Sequence, residues 1–148
     1  MVVQQDFRDL LELFNKHKVD YIIVGAYALG FHGVPRYTGD LDIFVKPDSV
    51  NARNIMQALH EFGFGSVDLR EADFEEEGMI VQLGVPPVRI DLITSITGVL
   101  WEKARSGRVD SWFGDLMVHY IGRDDFISNK RALGRKKDLA DLEAIGED

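Results

Sequence analysis

The chain has 148 residues, 45% hydrophobic and 28% charged, which is enough apolar material to bury one core and too much for a disordered segment. It contains no cysteine, so a disulfide framework and thiolate metal sites are excluded, leaving Asp, Glu and four His as possible metal ligands. A formal net charge of −8 speaks against a protein whose main task is to coat nucleic acid through its phosphates.

Phe7, Leu10, Leu11 and Phe14 recur at i, i+3, i+4 and i+7 and predict an amphipathic helix. Tyr21-Ile-Ile-Val24 is a short apolar run stopped by Gly25, the pattern of a buried strand. Residues 26–31 then predict a short helix ended by Gly33 and Pro35. A second strand over residues 41–45 closes at Pro47. Asp48 or Ser49 can cap the helix that follows, which buries Ile55, Leu59 and Phe62 and stops at Gly63. Residues 64–78 are irregular and acidic. Strands over 79–83 and 88–94 flank the turn Gly84-Val-Pro-Pro87. A helix over 98–105 stops at Gly107, a further strand covers 116–121, and helices over 125–133 and 136–145 finish a helical segment of about 124–146. This order predicts an α+β fold, a mixed β-sheet of about five strands backed by helices, in a single domain over residues 1–148.

Charge is unevenly spread. Residues 68–77 hold six acids and one Arg, a solvated face; residues 123–137 hold six of the seventeen bases, a solvated helix face or a footprint for phosphate or tRNA. The first 18 residues include acids and lack an unbroken apolar core, so they do not read as a signal peptide. No apolar run nears the roughly 20 residues that span a bilayer, so a cytoplasmic protein without a membrane partner is expected.

The chemistry concentrates in Gly39-Asp-Leu-Asp-Ile43. Asp is depleted in strands, yet two alternate here with Leu41 and Ile43. Alternation puts Asp40 and Asp42 on one face, Cα atoms roughly 6.5 Å apart, with Leu41, Ile43 and Val45 pointing into the core. Two carboxylates that close repel unless a cation lies between them, and magnesium suits hard oxygen ligands and substrate phosphates. Arg89-Ile-Asp-Leu-Ile93 repeats the pattern with Asp91. If the two strands are neighbours, three carboxylates converge, enough to hold two Mg²⁺ ions about 3.5–4 Å apart for displacement at phosphorus. Arg89 is expected to pair with an acid. Upstream, Gly25-Ala26 ends a strand and opens a helix, a turn that lets backbone N–H groups approach a phosphate. Arg36 and Thr38 lie between that turn and Asp40, and a guanidinium there suits phosphate. His32 is expected to be a hydrogen-bonded loop histidine, Trp101, Trp112 and Phe113 to be core or partner surface, and His17, His60 and His119 show no metal spacing.

The stretch YIIVGAYALGFHGVPRYTGDLDIFV, residues 21–45, resembles the opening of the nucleotidyltransferase superfamily that shares the DNA polymerase β palm. It is especially similar to the branch of AbiE-type toxins and their small relatives. The family pattern of a Gly-Gly or Gly-Ser turn, an Asp-x-Asp strand and a third Asp corresponds to Gly25-Ala26, Asp40-Leu-Asp42 and Asp91. Asn129 to Asp141 is similar to the family's C-terminal helical segment, which implies that Lys130 and Lys137 contact the triphosphate while Asp138 orients a Lys or Arg. The resemblance implies Mg²⁺-dependent transfer of a nucleoside monophosphate from an NTP such as ATP to a hydroxyl of tRNA, protein or a small molecule. Asp91 would then act as general base, and a cognate antitoxin or toxin would be a partner. A non-catalytic nucleotide- or partner-binding module is the alternative. Ala26 departs from the pattern, removing a possible hydroxyl contact while leaving the backbone donors.

Overall fold

The computed structural model describes residues 4–34, 39–64, 68–85 and 87–147. Helix α1, Gln5–Lys16, buries Phe7, Leu10, Leu11 and Phe14, the stripe its periodicity predicts. Strand β1, Tyr21–Val24, is buried along its whole length and runs straight into helix α2, Gly25–Phe31. Strand β2, Asp40–Val45, leads to helix α3, Ser49–Leu59, whose first turn is capped by the Asp48 carboxylate accepting from Asn51 N–H. A wide helical turn, His60–Phe64, ends it around Gly63 at φ 114°. Within the acidic stretch, one turn of 3₁₀ helix, Glu71–Phe74, presses Phe74 into the core, and its Asp73 carboxylate accepts from the Arg70 backbone N–H at 2.9 Å.

Strands β3, Ile80–Val85, and β4, Val88–Ile93, form the expected hairpin. Helix α4, Trp101–Gly107, follows, and then a strand absent from the sequence reading: β5, Val109–Phe113. It pairs with β6, Leu116–Tyr120, through the two-residue turn Gly114-Asp115, with Gly114 at φ 65° in the first central position. Helices α5, Arg123–Leu133, and α6, Lys136–Ala144, close the fold, separated at Gly134, which takes the left-handed conformation at φ 64°. No helix of the described residues is long and apolar enough to cross a membrane.

The strands form one mixed sheet in the order β3-β4-β2-β1-β6-β5, six strands where about five were expected. β2 runs antiparallel to β1 and parallel to β4. Alternation along each strand divides the core in two. Leu41, Ile43, Ile90, Leu92, Ile23 and Tyr120 point to the face covered by α1 and α3. Ile22, Val24, Phe44 and Ile121 point to the opposite face and pack against Trp101, Ala104 and Phe126 of α4 and α5. The second core fills only part of its face. What remains beside it is the odd-numbered end of β4 and the acidic end of β2.

Candidate active site

Parallel pairing of β2 with β4 sets Asp42 directly opposite Asp91 and Asp40 opposite Arg89. Side-chain alternation puts all four on the face not covered by α1 and α3. The strand adjacency assumed in reading the sequence is therefore the adjacency of the fold. Asp91 is buried, 8% exposed, while Asp40 and Asp42 are half-buried. Burial pushes the Asp42 carboxyl up to about 6, and the neighbouring charges of Asp91 and Asp40 push in the same direction.

Gly25 lies hard against this group. It sits at φ 68°, and a Cβ built on it would overlap the Asp42 carboxylate, whose own Cβ would be only 3.1 Å away. Glycine is thus required twice, by the left-handed backbone and by the carboxylate that occupies the place of a side chain. The strand-to-helix turn before α2 and the acidic end of β2 form one structure.

Opposite the carboxylates, α5 and α6 bring in cations. Lys130 is buried, with Nζ 3.4 Å from Asp138 Oδ1, 3.3 Å from Asp141 Oδ2 and 5.4 Å from the centre of the Phe126 ring. Asp138, fully buried, also accepts from Arg135 Nε at 2.6 Å and from the Arg135 backbone N–H at 3.1 Å. Those bonds from Arg135, with the charge of Lys130, hold the Asp138 carboxyl below its ordinary range. Asp138 therefore orients both a Lys and an Arg. Lys137 is exposed. Asn129 Nδ2 donates to Thr97 O at 2.8 Å and pins α5 to the loop that follows β4.

These groups share one cavity of about 470 Å³, lined by Gly25, Ala26, Asp40, Asp42, Asp91, Lys130 and Lys137 together with Arg135, Ser95 and Thr97. Seven of the nine residues singled out in the sequence thus stand together. Arg36 and Thr38 lie outside the described residues. Sequence reasoning passed over Ser95, Thr97 and Arg135; the first two directly follow the Asp91 strand, and that position was their only signal. His32 is a structural loop histidine, its Nε2 2.8 Å from Ile121 O. His17 and His119 pair with Glu61 and Asp110. Trp101 and Phe113 are core, whereas Trp112 is 59% exposed.

Arg89 changes the electrostatics. It donates from Nε to Asp91 Oδ1 at 3.0 Å and from Nη2 to Oδ2 at 2.9 Å, a fork on both oxygens. Among the described residues no three His or carboxylate side chains form a ready metal-ligand set. The donor chemistry of Asp40 and Asp42 nonetheless fits a hard divalent cation: two oxygen ligands on one strand face, in a place where burial and neighbouring carboxylates disfavour the charge of Asp42.

No family profile and no curated protein matches the sequence. Solved structures do match in three dimensions. A candidate nucleotidyltransferase, TM1012 from Thermotoga maritima, superposes with a TM-score of 0.65 at 16% identity, over 96% of this chain and 93% of that one. The lincosamide antibiotic adenylyltransferase LnuA, in its lincomycin-bound structure, superposes with a TM-score of 0.57 at 15% identity, over 97% of this chain and 96% of that one. At this identity the comparison shows a shared fold.

Proposed function

We propose that this chain is a nucleotidyltransferase that moves the nucleoside monophosphate of an NTP onto a hydroxyl acceptor, with Mg²⁺ held by Asp40 and Asp42. The observation that carries the reading is the register that sets Asp42 against Asp91 beside Gly25, facing Lys130 and Lys137 across one cavity. The likeness in fold to a lincosamide adenylyltransferase points the same way.

Each side chain has a task that its position suits. Mg²⁺ on Asp40 and Asp42 would neutralise triphosphate oxygens and ease displacement at the α-phosphorus. Lys137, exposed at the rim, meets the outer phosphates. Lys130 and Arg135, their charge balanced by Asp138 and Asp141, offer N–H donors fixed in orientation, which cost no reorganisation as charge develops. Ser95 and Thr97 offer hydroxyls to the nucleotide or acceptor. Asp91 takes the proton of the attacking hydroxyl. The Arg89 fork uses one lone pair on each of its oxygens, leaving a second pair for the acceptor.

The basic run disfavours a tRNA acceptor. Arg123 and Arg131 pair with Glu147, Lys130 with Asp138 and Asp141, and Arg135 with Asp138, so most of its charge is spent within the fold. A small molecule or a protein side chain is the better acceptor. Placement in the AbiE-type branch, with a cognate antitoxin as partner, rests on residues 21–45 and 129–141 of the sequence and belongs to the same proposal.

Calorimetry of each NTP with Mg²⁺ tests the site. Wild-type chain should bind at least one NTP in a Mg²⁺-dependent manner, and Asp42→Asn should lose that dependence while keeping its circular dichroism. A wild-type chain that binds no NTP would overturn the reading.

A further inference from the structure

We propose that Ile80 and Gln82 of β3, with Ile93 of β4, form the seat of the acceptor, and that the acceptor is a small uncharged hydroxyl compound with an aliphatic face. The proposal rests on the transfer reading above and names its substrate class. Val81 and Leu83 point into the core under α1 and α3, so alternation turns Ile80 and Gln82 to the opposite face, which carries the carboxylates. The hairpin register sets Gln82 directly opposite Asp91 and Ile80 opposite Ile93. Ile80 is 63% exposed on the outermost strand of the sheet, yet it lines the same cavity as Asp91. Ile93, Ile96 and Leu133 continue an aliphatic wall along that cavity.

The strand order decides which substrate this wall meets. Across the face run Gly25 after β1, Asp42 on β2, Asp91 on β4 and Gln82 on β3. Strands lie about 4.8 Å apart, so Gln82 stands one spacing from Asp91 and about 10 Å from Asp42. The triphosphate and its metal belong on the side of Gly25 and Asp42. In-line displacement puts the attacking and leaving oxygens on opposite sides of the phosphorus, so the acceptor enters from the Asp91 side, where β3 lies. The positions of β3 that face the site are Ile80, Gln82 and Gly84, none of them charged. An anionic acceptor would find no cation on that strand, and the Arg89 guanidinium is already forked onto Asp91. Contact with Ile80 and Ile93 would strip water from a charge of either sign, whereas a carbon chain gains by leaving water. Gln82 offers amide donors and an acceptor for the polar edge. A cavity of about 470 Å³ that must also take a nucleotide leaves room for a small acceptor.

Primary alcohols from ethanol to 1-hexanol, with glycerol as the polar control, test the seat in the full chain without metal or nucleotide. The readout is the NMR shift of ¹³C-labelled isoleucine methyls. Those of Ile80, Ile93 and Ile96 should move, while that of Ile55, buried under the other face, should not. Affinity should rise about two- to fourfold per added methylene, and glycerol should move none of them. Ile80→Ser, with Ile80→Thr as a second variant of higher strand propensity, should flatten that rise and keep the Kd for NTP with Mg²⁺ within about threefold. Alcohols that shift no methyl of this wall, or a rise unchanged in both Ile80 variants, would overturn the proposal. So would loss of NTP binding in a folded Ile80 variant, which would give the wall to the nucleobase. A wild-type chain whose wall takes 1-hexanol but that binds no NTP sinks the transfer function and not the preference of the seat. One that binds NTP with Mg²⁺ and ignores every alcohol sinks only the acceptor class.

Discussion

Asp42 carries a conflict that a proton or a cation relieves. Its carboxyl is raised to about 6 by burial and by Asp91 and Asp40, so without metal the folded chain binds a proton here more tightly than the unfolded chain does. Stability attributable to this group therefore falls as pH rises from about 4 to about 6, and the penalty is complete above that window. Metal-free Asp42→Asn should be more stable than wild type at pH 7.5, and the gap should close below pH 4; thermal unfolding with a chelator present measures it. Gly25 is bound to the same conflict. Gly25→Ala must accept φ 68° and displace the Asp42 carboxylate, and it should lose about 2–3 kcal/mol in denaturant unfolding along with Mn²⁺ binding. Legibility at this scale was uneven for a physical reason. Asp40 and Asp42 could be read from alternation within one strand, because a charged residue in an apolar run must face away from the core. Asp91 needed knowledge of which strands are neighbours, which is a long-range fact. Arg89 was expected to pair with an acid, but that the acid would be Asp91 itself depended on rotamers that no pattern encodes.

The elements work as carriers of small numbers of groups. α5 and α6 are joined through Asp138, which sits fully buried between Lys130 and Arg135. Asp138→Ala should cost about 3 kcal/mol, since it strips a partner from two cations, one of them buried. It should weaken NTP binding as well, and both effects are read by denaturant titration and calorimetry. Phe74 is the one buried residue of the 3₁₀ turn, so Phe74→Ala should cost about 3–4 kcal/mol in the same assay and leave Mn²⁺ binding intact. Most elements were plain in the sequence because their apolar spacing is strong. β5 was not: Val109-Asp-Ser-Trp-Phe113 has four of five residues exposed or half-exposed, as an edge strand can. Its missed signal was Phe113-Gly-Asp-Leu116, a two-residue hairpin turn.

At the scale of the whole molecule, the sheet separates support from chemistry. One face is sealed by α1 and α3 over the larger core; the other is sealed only as far as Trp101 and Phe126 reach, and the cavity occupies the rest. That division leaves one place where Lys130, Arg135 and Lys137 of the α5–α6 region line the same cavity as the carboxylates, in a chain of net charge −8. The central claim is that this cavity transfers a nucleoside monophosphate, and the position of the label decides it most directly. With Mg²⁺ and a cell extract as acceptor source, label from an NTP carrying ³²P at the α-phosphate should appear on an acceptor. Label carried at the γ-phosphate should appear in pyrophosphate, and Asp42→Asn should transfer neither. Absence of α-label on any acceptor with all four NTPs, or undiminished transfer by Asp42→Asn, would contradict the account.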